Sequence, residues 1–282
     1  MADALRKIAL VTGGNQGLGL ALVRALCRVL GTGSTVYLAA RDMGRGQAAC
    51  ALLQQEGLSP DLIQLDIADA ASVSAAADVI KARHGGIDVV IQNAAARITR
   101  ETPQADQVAR FVDTNNHGTL RIIEAFVPLL RDNGRLIVVA SSFGALRHLD
   151  PRLHARFDSP VLTLHDIERA MDEFAEATCA GTAGQEGWPD WINIPSKIGQ
   201  VASVRVLARD SSEEFRRRGI LVNAACPGLV DTEASRPWFA DMSKAATPDE
   251  AARDLVWLAT LPAGSEEPYG VLVRHRKPLP WT

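Results

Sequence analysis

Apolar residues along the 282-residue chain follow two alternating rhythms. Short β-branched or apolar runs at Ile8–Thr12, Thr35–Ala39, Leu62–Leu65, Ile87–Ile91, Arg135–Ala140, Ile220–Ala225 and Val271–Val273 predict strands. Between them, Leu18–Leu30, Gly46–Glu56, Ala71–Arg83 and Ile198–Arg209 carry the helical period. Strand–helix alternation of this kind implies a parallel sheet covered on both faces. The rhythm breaks once, from Phe143 to about Trp188, where charged and turn residues surround an amphipathic stretch near Leu164–Thr178. A structureless loop of that length is unusual inside a domain, so this insertion should carry a helix and cover something. The expected fold is α/β: a Rossmann-like doubly wound parallel sheet in a single domain over residues 1–282. Its helical insertion at about 143–188 falls between the fifth strand and the following helix.

Composition narrows the partners more than the fold. A net charge of −3 gives no electrostatic reason to expect nucleic acid or an anionic membrane as the main partner. No run of 18 apolar residues occurs, and the N-terminal stretch Met1–Lys7 leads into a strand without the apolar core of a leader, so neither secretion nor membrane insertion is expected. The four cysteines, Cys27, Cys50, Cys179 and Cys226, show no C-x-x-C or histidine-paired spacing. A reduced set of thiols in the cytoplasm is therefore expected, with no metal site. Only five lysines, Lys7, Lys81, Lys197, Lys244 and Lys277, stand against 25 arginines.

The first strand ends in Thr12-Gly13-Gly14-Asn15-Gln16-Gly17-Leu18-Gly19. A glycine-rich strand-to-helix turn lets backbone N–H groups approach a pyrophosphate at a helix N-terminus. The plain reading of the G-x-x-x-G-x-G spacing is a tight turn, and the motif favours cofactor binding over it. After the second strand come Arg41, Asp42 and Arg45, where a fold selecting NAD usually places an acid on the ribose. The arginine pair suits a 2′-phosphate, hence NADP(H), with Asp42 expected to face outward.

Further strings make the chain resemble the short-chain dehydrogenase/reductase superfamily, and within it the monomeric carbonyl reductases. They are Leu65-Asp66-Ile67 after the third strand, Gln92-Asn93-Ala94-Ala95 after the fourth, Thr114-Asn115 before Gly118, and Cys226-Pro227-Gly228 after the sixth. The narrower likeness rests on Ala40-Arg41-Asp42 with Arg45–Ala49, on Glu56–Pro60, and on Glu186-Gly187-Trp188-Pro189. The resemblance implies that Gly13, Asn15, Gln16, Gly17, Leu18, Gly19, Arg41, Arg45, Asp66, Ile67, Asn93, Ala94, Lys197, Pro227 and Gly228 serve the cofactor. It also implies a monomer, because the added helical segment covers a face that other members use to oligomerise.

In that family a serine holds the substrate carbonyl, a tyrosine donates the proton, and a lysine four residues later lowers the tyrosine pKa and binds the ribose. Here Ser142 takes the serine position, Asn115 that of the active-site asparagine, and Lys197 that of the lysine. The tyrosine position holds Asn193, 51 positions after Ser142. Lys197 is the only lysine between Lys81 and Lys244, which fixes the register. Plain structural readings stand beside these: Ser142 as a turn hydroxyl, Asn115 as part of a helix irregularity, His117 and Cys226 as packing or rim residues. A phenol donates a proton, whereas a carboxamide only donates a hydrogen bond.

Three functions are compatible with this pattern. The first is reduction of an activated small molecule, an enone C=C or an iminium ion, without the phenol. The second is a carbonyl reductase slowed or disabled at Asn193. The third is a cofactor-binding protein without redox turnover, acting as a cyclase, isomerase or regulatory binder. Substrate walls are expected in Phe143–Glu186 and Leu229–Ser243, with Phe143, Phe157, Phe174, Trp238 and Phe239 as their aromatic residues.

Overall fold

Along the first strand, Ile8 and Leu10 face one apolar cluster while Ala9 and Val11 face another, as the two-residue period of a strand requires. The computed structural model of the chain repeats this two-faced burial across a sheet of eight strands. It describes residues 6–282, so Met1–Leu5 of the N-terminal stretch considered above lie outside the described residues. The strands are β1 (Ile8–Thr12), β2 (Thr35–Ala40), β3 (Asp61–Gln64), β4 (Ile87–Gln92), β5 (Leu130–Val139), β6 (Leu221–Ala225), β7 (Leu272–Arg274) and β8 (Lys277–Pro278). Their order is β3-β2-β1-β4-β5-β6-β7-β8, parallel throughout except for the antiparallel β7–β8 edge.

Among the described residues the α-helices are α1 (Gly17–Leu30), α2 (Met43–Gln55), α3 (Ala70–His84), α4 (Gln104–Val112), α5 (Gly118–Phe126), α6 (Leu164–Ala180), α7 (Asn193–Asp210), α8 (Ser212–Arg218) and α9 (Pro248–Ala259). One sheet face packs residues of α1, α2 and α9, and the other those of α3, α5 and α8. The doubly wound parallel sheet inferred from the rhythm is the fold observed. All seven expected strands occur, β1 with both ends as expected and each of the others with at least one end shifted, by one to five residues. The largest shift is in β5, which starts at Leu130 rather than Arg135, because Leu130 already pairs with Ile87 across a register irregularity. The two-residue β8 carries no periodic signal to read.

The chain order reverses between β1 and β4, which opens a crevice beyond the C-terminal ends of these two strands. The segment from Phe143 to Trp188 holds three short 3-10 turns and the 17-residue helix α6, capped at Thr163 by a reciprocal pair of bonds with Asp166. The helix buries Ile167, Met171 and Phe174 in a third apolar cluster shared with Val108 of α4 and Ile198 of α7. Phe157 and Phe174 belong to that cluster, with Trp188 edge-on to Phe157 at 6.1 Å and tilted against Phe174 at 5.0 Å. They are core residues of the insertion rather than walls of a pocket.

Candidate active site

At the end of β1 the chain turns sharply into α1. Gly13 and Gly17 take positive φ values of 63° and 52°, a region that disfavours any side chain. Gly19 is needed for space: a Cβ there would lie 2.1 Å from the Gly13 carbonyl oxygen and 2.6 Å from Asn93 Nδ2. Asn93, just past β4, donates through Nδ2 to the Thr12 carbonyl at 3.0 Å and the Gly13 carbonyl at 3.3 Å. Its own N–H and that of Ala94 donate to Thr12 Oγ1, both at 2.9 Å. The two strand ends that flank the crevice are thus locked together. Helix α1 has no side-chain cap at Gln16 and no acid in its first turn, so its first N–H groups and positive dipole end are left for an anion.

At the end of β2, Asp42 is exposed and caps α2, accepting from the Arg45 N–H at 3.0 Å. This matches its expected outward position. Arg41 and Arg45 are both exposed on the same rim. Asp66 accepts from the Ala68 N–H at 3.1 Å. The Ile67 side chain is buried, against the place where Gly118 passes at the start of α5. Past β6, Pro227 and Gly228 are partly exposed, Gly228 with φ 78°. Thr232 follows and stands 3.5 Å from a Cβ built on Gly17, a neighbour that the sequence reading missed.

The chemical end assembles around the first turns of α7, which Asn193 begins. Lys197 lies one turn further on the same face. Its Nζ donates to the Val139 carbonyl at 3.2 Å and to Gln200 Oε1 at 2.8 Å. Burial with no carboxylate partner lowers its pKa to about 8. Ser142 opens a turn, Ser142–Gly144, whose Gly144 packs so closely on α7 that a Cβ would be 2.9 Å from the Lys197 carbonyl. Ser142 and Lys197 are thereby held on adjoining elements. The Asn193 amide has no hydrogen-bond partner among the described residues.

Asn115 sits in a π-helical turn, Asp113–His117, inserted between α4 and α5. It is 1% exposed, accepts from the Ala96 N–H at 2.8 Å through Oδ1, and leaves its buried Nδ2 without a partner. The helix irregularity expected at this residue is thus a single π turn, a feature frequent at functional sites in general. His117 lies in the same turn, with Nε2 3.0 Å from the Asp172 carboxylate of α6 but not in hydrogen-bonding geometry with it.

Aromatic side chains close the other side. Phe143 meets Trp191 edge-on at 5.2 Å, and Trp191 stacks obliquely on Trp238 at 5.6 Å. The Trp191 Nε1 is buried without a partner. Trp191 lies outside both segments named as walls. Its position two residues before Asn193 was the available signal.

With this geometry in view, the likenesses to known proteins agree. The family model for short chain dehydrogenase matches residues 7–149. "Carbonyl reductase [NADPH] 1" of Homo sapiens is 39% identical over 278 residues, covering 97% of this chain and 98% of that protein. Its Mus musculus counterpart is 39% identical over 280 residues, covering 98% and 99%. Among solved structures, salutaridine reductase from Papaver somniferum superposes with a TM-score of 0.81 at 26% identity, covering 95% of this chain and 99% of that one.

Proposed function

Since the chain belongs to the short-chain dehydrogenase/reductase family, we propose that it is an NADP(H)-dependent oxidoreductase that reduces an activated small molecule without the family's phenol. The observation that carries this reading is Asn193 on the helix face of Lys197, with no ionisable acid in its place. The described residues fit the cofactor. The uncapped start of α1 and the space kept clear by Gly13, Gly17 and Gly19 suit a pyrophosphate, and Arg41 and Arg45 suit a 2′-phosphate. The relatives named "Carbonyl reductase [NADPH] 1" support the same choice. Asp66, Ile67, Asn93, Ala94, Pro227 and Gly228 complete that side, as the resemblance implies.

Bound NADPH supplies the hydride. Ser142 and the Asn193 amide orient the substrate oxygen by hydrogen bonds, and Lys197 contributes positive charge while it is protonated. Asn115 fixes the turn behind them. For an enone the α-carbon takes its proton from solvent, and an iminium ion already carries the activating charge, so neither substrate needs a phenol at residue 193. Phe143, Trp191 and Trp238 form the apolar wall.

The experiment is a substrate panel followed by NADPH absorbance. Enones or iminium ions are expected to be reduced and simple ketones to be slow or inert. Tight NADPH binding with no turnover across the panel would sink the proposal. The carbonyl reductase likeness favours a second reading, a ketone reductase slowed at Asn193. A cytoplasmic location, supported by the four free cysteines, and a monomeric state belong to the proposal as well.

A further inference from the structure

Gln200 lies on α7 three residues beyond Lys197 and is 1% exposed. No role falls to it from the family likeness or from the reading above, yet both ends of its carboxamide are used. Its Oε1 accepts from Lys197 Nζ at 2.8 Å, while its Nε2 donates to the Asn115 carbonyl at 3.1 Å and to Thr119 Oγ1 at 3.0 Å. Thr119 Oγ1 in turn donates to the same Asn115 carbonyl at 2.6 Å. One buried amide therefore joins the amine to the π turn, whose Asn115 Oδ1 reaches the Ala96 N–H in the segment after β4.

The chemistry of this link depends on its being neutral. A carboxamide holds an amine by a hydrogen bond and brings no charge at any working pH. A carboxylate at the same distance would draw the proton onto Lys197, and an apolar side chain would leave Nζ with the Val139 carbonyl alone. The other groups around the amine do not take over the part. Cys226, after β6, is the titratable group that acts on it. The stretch Val139–Gly144 at the end of β5 contains no acid or base. In the π turn, Asp113 is bound by Arg121 and His117 faces Asp172 of α6.

We infer that Gln200 is a positioning residue, which fixes the Lys197 amine against the end of β5 through a neutral partner and couples it to the Asn115 turn. The charge of Lys197 is then left for whatever anionic or hydroxylic group enters the crevice. This inference rests on the reading of Lys197 as facing the ligand.

The test begins in the cofactor-free protein, so that the two ideas fail separately. With lysine labelled at Cε by carbon-13, the five lysines give five NMR signals, and Lys197→Arg identifies the one at issue. In Gln200→Glu the titration midpoint of Lys197 is expected to rise by about one unit or more, as for a cation gaining an adjacent carboxylate. In Gln200→Met it should fall below the wild-type value, and NADPH affinity, read by fluorescence titration, should drop about tenfold, the size of one lost charged hydrogen bond. Unchanged midpoints in both variants, with native melting curves, overturn the inference. Should Gln200→Met not fold, an unchanged midpoint in Gln200→Glu overturns it alone. Midpoints that move as expected in a protein that never binds NADPH uphold Gln200 and sink the cofactor reading instead.

Discussion

At residue 193 the whole question of mechanism reduces to one side chain. Loss of a positioned general acid slows a reaction by about two to four powers of ten, while the Ser142 and Lys197 positions are untouched by it. Asn193→Tyr is accordingly expected to raise ketone turnover by about tenfold or more, measured as kcat by NADPH consumption. A folded, cofactor-binding variant with no gain would remove the slowed-ketoreductase reading. Lys197 gives a second test. Its folded value of about 8 lies below the ordinary 10.5, so between these two pH values the unfolded chain binds more protons. Stability is therefore expected to rise as pH climbs from about 8 towards 10.5. The rise is bounded at about 3 kcal/mol for a fully buried amine and is smaller here, since the side chain is partly exposed. Urea unfolding of wild type and Lys197→Met across that range should show the rise flattened in the variant.

At the scale of one element, the β1–α1 turn shows why glycine recurs at a fixed spacing. Gly19→Ala would drive a methyl group into the Gly13 carbonyl and the Asn93 amide, the two groups that join β1 to β4. A cost of about 1–3 kcal/mol in urea unfolding is expected, as for overpacking generally, together with a marked loss of NADPH affinity. Gly33→Ala, which meets nothing within 4 Å, is the control and should leave both quantities close to wild type. The π turn makes a complementary point. It lies in the α4–α5 path and holds Asn115 buried, with Oδ1 accepting from the Ala96 N–H.

Across the whole molecule, α6 lies over α4 and α7 with Ile167, Met171 and Phe174 facing inward. That packing covers the flank that the family likeness associates with oligomer contacts, so light scattering is expected to give a mass near the chain's 30.3 kDa. A stable dimer in wild type would contradict it. Phe174→Ala removes the ring beneath Trp188 and is expected to cost about 3–5 kcal/mol in urea unfolding. A cost well under that range would mean that α6 is held by its ends rather than by this cluster.

Much of this was legible in the sequence because it is local. The short apolar run Ile8–Thr12 favours a strand wherever the strand ends up, a glycine turn is set by sterics within a few residues, and the scarcity of lysine, five beside 25 arginines, singles out Lys197. The doubly wound parallel sheet followed from the same periodicities, since alternating strands and helices leave few topologies, but the strand order β3-β2-β1-β4-β5-β6-β7-β8 came only with the folded chain. Other features needed the folded chain. Phe157 and Phe174 read as pocket walls but are core, because their surroundings come from α4 and α7, far away in sequence. Trp191, Thr232 and Gln200 carry no motif of their own. The joining of Gln200 to Asn115, 85 positions earlier, exists only because α7 packs on the π turn. The sequence by itself determined the fold and the kinds of side chain at the crevice. Tertiary structure alone decided which of them meet, because a hydrogen bond depends on separation in space and not along the chain.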